Sequence, residues 1–164
     1  MKTLLLMRHA KSSWQDEQLS DFDRPLNHRG LSAAPFMGKF IRRTGMVPDA
    51  VVSSPARRAK QTAELVRKAG RFDAAIVYDE RIYEATAPTL LEVISQIDSA
   101  TEKVLMIGHN PGFEALLHYF TGEHLSMPTA CLAGIYLKID AWPDIFQARG
   151  TLEVLIKPQA LMKD

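Results

Sequence analysis

The sequence predicts an α/β fold, a three-layer sandwich in which a central, mostly parallel sheet is flanked by helices. Three observations carry that expectation. Short apolar runs alternate with helix-period segments through four successive units. The last two apolar runs have no full helix between them, so one of them is expected to be antiparallel. The chain has 164 residues, 46% of them hydrophobic, which suits a single core; a domain of this size buries roughly 68–70% of its unfolded surface.

The elements follow in order. Lys2–Met7 is the first strand, ending at Arg8-His9. The stretch from Arg8 to Arg29 is polar and longer than an ordinary connection, a length at which loops tend to carry function. Gly30–Arg43 is a helix, with Leu31, Ala34, Met37, Gly38 and Ile41 at helical spacing and Gly45 just past its end. Asp49–Ser53 is a short second strand. Pro55, preset for a first helical turn, opens a helix that runs to about Ala69 and stops at Gly70. Ala74–Tyr78 is the third strand, Thr86 to about Ile97 a helix, and Lys103–Ile107 the fourth strand. Asn110-Pro111 opens the next helix, which Gly122 closes. Leu132–Ile139 and Leu152–Ile156 are the last two β runs. No repeat, low-complexity tract or linker interrupts the chain, and one domain is expected over residues 1–164.

Charge narrows the function classes. The formal net charge is +1, but residues 1–60 carry 11 Lys/Arg against 5 Asp/Glu and the remainder 9 against 14. A near-neutral total argues against a nucleic-acid binder, which would present a broad basic face. No apolar run approaches the roughly 18 residues of a membrane span, and the apolar stretch at Leu4–Met7 is shorter than the roughly 7–15 residues of a secretory signal core. The single Cys131 cannot form a disulfide within the monomer. A cytoplasmic protein with no membrane partner is expected.

Ligands of open α/β sheets bind beyond the carboxyl ends of the strands. Arg8-His9 follows the first strand, Ser53-Ser54-Pro55-Ala56-Arg57-Arg58 the second, and Gly108-His109-Asn110-Pro111-Gly112 the fourth, with Glu84 a few residues beyond the third. Each residue alone has an ordinary structural reading, as a cap, a packed ring, a solvated charge or a turn glycine. Their meeting at one rim, beside helix N-termini that favour anions, points to an anionic ligand. Fixed positive charge at Arg8, Arg57 and Arg58 argues against a metal ion, and no His-Glu-x-x-His spacing is present. Gly-x-Gly-x-x-Gly and Walker A loops are absent as well. No metal and no cofactor is expected.

Met7-Arg8-His9-Ala10 resembles the Arg-His-Gly signature of the histidine phosphatase superfamily, with Ala10 at the usual glycine. The segment from Ser54 to Ala63 resembles that family's Ser-Pro-x-x-Arg-Ala-x-x-Thr-Ala helix, and Gly108-His109-Asn110 its second histidine segment. Arg8–Trp14, Asp21–Asn27 and Met127-Pro128-Thr129 are similar to the SixA-type branch, the phosphohistidine phosphatases. The resemblance spans nearly the whole chain and implies a phosphoglycerate mutase-like fold. It implies that His9 is the nucleophile, that Arg8, Arg58 and His109 surround the phosphoryl group, and that Arg24 is a further phosphate ligand. Arg57 falls on the variable position. Glu84, in Arg81-Ile82-Tyr83-Glu84, resembles the general-acid segment of some branches. The implied substrate is a phosphorylated protein or a small phosphorylated molecule.

These residue types suit the chemistry. Phosphoryl transfer rests on positioning and on neutralising charge over three oxygens, which guanidinium groups do with paired donors. His9 must attack as neutral imidazole, and nearby Arg charge is expected to lower its pKa. His109, if protonated when phosphate binds, adds a donor and a charge. A covalent intermediate divides hydrolysis into two easier steps. Imidazole leaves more readily than an alkoxide, so a weak acid favours a phosphoramidate substrate. Phosphatase action on small esters and a phospho-ligand binding module without turnover are the alternatives. Trp14 is expected to anchor the long loop on the domain rather than line the pocket.

Overall fold

The structure is a computed structural model, and it describes residues 1–162. Strands β1 (Lys2–Arg8), β2 (Ala50–Ser53), β3 (Ile76–Tyr78), β4 (Lys103–Gly108), β5 (Leu132–Leu137) and β6 (Gly150–Ile156) form one sheet in the order β3-β2-β4-β1-β5-β6. Neighbours from β3 to β1 pair in parallel, while β5 is antiparallel to both β1 and β6. The expected antiparallel strand is thus β5.

Period-two alternation in β1 builds the two cores. Leu4 and Leu6 face the helices α3 (Ala87–Ser95) and α4 (Gly112–Thr121). Leu5 and Met7 face α1 (His28–Arg43) and α2 (Arg57–Gly70). Each buried Leu contributes about 1.5–3 kcal/mol relative to exposure. A short C-terminal helix, α5 (Pro158–Leu161), follows β6. No helix among the described residues is long and apolar enough to cross a membrane.

Several boundaries differ from the sequence reading, each for a local reason. Helix α1 begins at His28, two residues before the expected Gly30, because the Asn27 side chain accepts the Gly30 N–H at 3.0 Å and caps it. Leu31 is on the solvent side of that helix, outside the core stripe. Pro55 does not open α2. The buried Ser54 hydroxyl accepts the Ala56 N–H, and the helix starts at Arg57. Gly70 is the last helical residue rather than the stop: Arg71 takes the left-handed cap, and Gly70 is small because Phe72 closes against it. Helix α4 begins at Gly112 with Pro111 as its cap residue, after a cis Asn110–Pro111 bond. Gly122 closes it in the left-handed region, as expected. Strand β6 starts two residues early, at Gly150, and the 3-10 turn Trp142–Gln147, on the connection from β5 to β6, buries Trp142 in the core on the α3/α4 side.

The topology positions the site. The chain runs from β1 outward to β2 and β3, then returns with β4 between β2 and β1. The carboxyl ends of β2, β4 and β1 therefore lie side by side, at the switch point where α/β proteins place ligands. The long connection after β1 is held down by a Ser12–Leu26 bridge and contains one 3-10 turn, Asp21–Asp23. Gly30 lets α1 pack against the Lys11 carbonyl, with no room for a Cβ.

Candidate active site

The parallel ladder continues past the strand ends. His9 N–H donates to the Gly108 carbonyl at 2.9 Å and Ser54 N–H to the Ile107 carbonyl at 2.9 Å. The backbone beneath both histidines is thereby fixed. A Cβ on Gly108 would lie 2.6 Å from the Phe113 ring, so only glycine lets α4 close under His109.

His9 is buried, and its Nδ1 lies 2.7 Å from the Ala10 carbonyl. A carbonyl only accepts, so Nδ1 carries the hydrogen and Nε2 keeps a bare lone pair. Ala10 fits at the glycine position because its methyl joins the α1/α2 core, while its N–H donates to Thr62 Oγ1 at 3.0 Å. Arg58 Nε–H donates to the unprotonated His9 Nε2 in a long hydrogen bond of 3.4 Å. The His109 ring is 5.2 Å from the His9 ring, centroid to centroid, with Nε2 2.7 Å from Ser54 Oγ. Arg8 donates through Nη1 to the Met127 carbonyl at 3.2 Å, and its buried Nε has no partner among the described residues. His109 Nδ1 and Asn110 Oδ1 are likewise buried and unpartnered there. Unpaired buried polar atoms are costly, and three of them gathered around two histidines suit a polar ligand.

A second group of residues stands beside this one. The Asp21 carboxylate accepts from Arg58 Nη2 at 3.0 Å, Arg24 Nη1 at 2.9 Å and Tyr83 OH at 2.6 Å. Its backbone carbonyl accepts from Arg58 Nη1 at 2.6 Å. Tyr83 stands edge-on to His109 at 5.5 Å and to Phe22 at 5.1 Å. A cleft of about 590 Å³ opens here, with Asp21, Arg58, Tyr83, Glu84, His109 and Asn110 in its walls. Glu84 is exposed, holds a left-handed backbone at φ 54° and makes no side-chain hydrogen bond to the described residues.

The electrostatics follow from burial. Burial lowers the His9 pKa to about 3, opposed by the Ala10 hydrogen bond and helped by His109, Arg58 and Arg8. Burial likewise lowers His109 to about 4, with further lowering by Arg58 and Arg8 against a rise from Asp21. The expected direction holds for His9, but desolvation, ahead of arginine charge, is its leading cause. Burial would raise Asp21, yet hydrogen bonds from Tyr83, Arg24 and Arg58 outweigh it and hold the carboxyl at about 2. Burial and the Asp21 bond push Tyr83 up to about 12. At neutral pH both histidines are therefore neutral and Asp21 is charged.

Arg8, His9, Arg58 and His109 come together as the sequence reading places them, and Glu84 reaches the cleft. Arg24 does not join them directly. It is buried behind Asp21, with Nε on the Ser13 carbonyl and Nη2 on Ser12 Oγ. Trp14 is no anchor: it is 71% exposed and lies 3.2 Å over the Arg24 guanidinium. Arg57 is exposed and points to the Asp23 carbonyl. Sequence reasoning missed Asp21, Tyr83, Ser54 and Asn110. The one available signal for Asp21 is its place three positions before Arg24, in a segment where acidic and basic residues balance.

A family model for the histidine phosphatase superfamily (branch 1) matches residues 4–90. The uncharacterised protein Rv1276c of Mycobacterium tuberculosis is 39% identical over 110 residues, covering 67% of this chain and 66% of that one. A solved structure from Agrobacterium tumefaciens, assigned as a SixA phosphohistidine phosphatase, is 29% identical. It covers 96% of this chain and 98% of its own, with a TM-score of 0.83. A second, from Nakamurella multipartitia and assigned likewise, is 26% identical over 95% of both chains, with a TM-score of 0.84.

Proposed function

Because the chain belongs to the histidine phosphatase superfamily (branch 1), we propose that it is a metal-independent phosphatase that passes the phosphoryl group of protein phosphohistidine through His9. The observation that carries this reading is the state of His9: neutral, with its Nδ1–H committed to Ala10 and its bare Nε2 beside Arg58. The similarity to SixA-type structures supports the choice of substrate.

His9 Nε2 attacks phosphorus opposite the leaving nitrogen. The new P–Nε2 bond forms as the substrate P–N bond breaks, and the departing imidazole takes a proton from solvent. Arg8, Arg58 and His109 carry the charge on the three phosphoryl oxygens. Two terminal N–H groups of Arg58 go to Asp21, which holds the guanidinium plane with its Nε–H on His9 Nε2 and leaves the other terminal N–H groups for the phosphoryl oxygens. Arg24 acts on phosphate through Asp21. Water then attacks phosphorylated His9, the electron pair returns to Nε2, and inorganic phosphate leaves.

Asp21 at about 2 is too acidic to donate a proton near neutral pH. Glu84 is the carboxyl group on the cleft wall with no competing bond among the described residues, so it is the proton donor for an oxygen leaving group. That feature favours small phosphate esters as a second substrate class. The unpaired, buried Cys131 suits a reducing, cytoplasmic setting, and the similarity to SixA-type structures supports phosphorylated signalling proteins as partners.

The test is turnover of a phosphohistidine protein and a panel of phosphate esters, with and without chelator. Faster turnover of the phosphohistidine protein, unchanged by chelation, is expected. Loss of activity on chelation contradicts the metal-free mechanism, and faster turnover of esters favours the second class. Tight phosphate binding without turnover would make the protein a phospho-ligand binding module.

A further inference from the structure

Both catalytic rings are neutral at neutral pH, so the location of each ring hydrogen decides what the ring offers. For His9 the Ala10 carbonyl settles it. For His109 the neighbour is a hydroxyl, which can donate or accept, and the hydrogen must be placed by accounting for every partner.

Ser54 is fully buried at the carboxyl end of β2. Its main chain is held by the Ile107 carbonyl of β4, two residues before His109. Its Oγ accepts the Ala56 N–H at 3.2 Å, which occupies one lone pair. The same Oγ lies 2.7 Å from His109 Nε2. The hydroxyl hydrogen has no other acceptor among the side-chain contacts of Ser54. Were Nε2 protonated, that hydrogen would be buried without a partner, which disfavours that tautomer. With Nε2 bare, the hydroxyl donates to it and every Ser54 group is satisfied.

We propose that Ser54 is a positioning residue that holds His109 as the Nδ1–H tautomer, so that the ring presents an N–H donor to the phosphoryl oxygens. His109 lines the cleft, and its buried Nδ1 is the ring nitrogen without a partner among the described residues. The two histidines then carry the same tautomer but offer opposite nitrogens. His9 turns its bare Nε2 toward phosphorus, while His109 offers its protonated Nδ1. In the other tautomer of His109, an Nδ1 lone pair would oppose an oxygen lone pair. Ser54 thus acts through His109 and touches no reacting atom.

This inference rests on the phosphatase reading for its consequence, but its geometry can be tested apart from activity. Nitrogen NMR correlation spectra of protein with isotope-labelled histidine report which ring nitrogen is protonated. In the wild-type protein, without ligand at neutral pH, His109 is expected to show a protonated Nδ1 and a bare Nε2. Ser54→Ala is expected to give a mixture of tautomers and to lower kcat on phosphohistidine protein by about tenfold, with a smaller change in KM. Ser54→Cys, which keeps a weak donor, is expected to fall between. A wild-type His109 protonated at Nε2 overturns the proposal, as does a Ser54→Ala protein with the wild-type tautomer and kcat. Should Ser54→Ala fail to fold, the wild-type spectrum decides alone. The expected spectrum in a wild-type protein that turns over no phosphorylated substrate refutes the phosphatase reading and leaves the tautomer assignment in place.

Discussion

His9 and His109 leave the ends of two neighbouring strands, and the backbone beneath them is locked by a ladder whose register runs residue by residue from Thr3–Lys103 to Arg8–Gly108. Asp21 and Tyr83 meet very differently. They come from two connections 62 residues apart, each held by a 3-10 turn, and they touch through a single 2.6 Å hydrogen bond. Of the first pair only His109 lines the cleft, with His9 buried beside it; this strand-end layer is the floor of the site, and Asp21 and Tyr83 are its wall. Strand ends fix a nucleophile and its partner with little freedom. Loops supply the groups that orient Arg58 and face the leaving group, and these can vary without disturbing the sheet.

Substitutions can break or sharpen this contrast. Arg58 belongs to the floor, and Arg58→Ala is expected to lower kcat by about 10²–10³-fold, the cost typical of removing a donor to developing charge. Asp21→Asn keeps the size of the wall group but weakens its grip on Arg58 and Arg24, and is expected to cost about tenfold, the loss of one charge-assisted hydrogen bond. Steady-state kinetics on phosphohistidine protein compare the two directly. Equal losses would mean that the wall does as much as the floor.

The floor also predicts a dependence of stability on pH. His9 and His109 titrate at about 3 and about 4 in the folded protein, but near 6.5 when unfolded. Between these values the unfolded chain binds more protons, so acid favours unfolding. Their contribution is complete above about pH 6.5 and is lost as pH falls toward 4 and then 3. By pH 5 the loss is expected to reach about 2 kcal/mol for each ring, roughly 4 kcal/mol for the two, read as a falling Tm in thermal melts. His109→Gln is expected to flatten the profile. A wild-type Tm constant from pH 7 to pH 4.5 would mean that neither ring is buried neutral.

Wall residues are expected to tune substrate choice. Glu84→Gln should lower ester hydrolysis by about threefold to tenfold more than phosphohistidine hydrolysis, because an alkoxide needs the proton and imidazole does not. Parallel losses on both substrates would remove Glu84 from the role of acid. Trp14 lies outermost, over Arg24. Trp14→Ala is expected to cost about 0.5–1 kcal/mol of stability in denaturant titration, the worth of an exposed cation–π contact, with kcat nearly unchanged.

The same division separates what was legible in the sequence from what was not. Arg8, His9 and His109 follow apolar strands directly, and Arg58 lies on the first turn of the helix after one, so a parallel sheet carries them to one rim whatever the loops do. The short strands and the helix caps were legible to within a few residues. Asp21 was not legible, because its position depends on the path of the connection from Arg8 to Arg29, and a carboxylate among phosphate ligands reads as an unfavourable neighbour until its three donors are seen. Arg24 is a ligand by resemblance alone, and the resemblance does not reveal the Asp21 carboxylate that claims its guanidinium. Nothing in the sequence distinguishes a Trp14 packed on the domain from an exposed indole stacked on a guanidinium, which is what the structure holds.

The central claim is that the phosphoryl group passes through His9 Nε2. Rapid quenching of the enzyme with radiolabelled phosphohistidine protein, followed by peptide mapping under alkaline conditions, tests it most directly. The expected result is a label on His9 that appears before free phosphate, is lost in acid and is absent from His9→Ala. Steady release of phosphate with no labelled enzyme, or a label on any other residue, would contradict it.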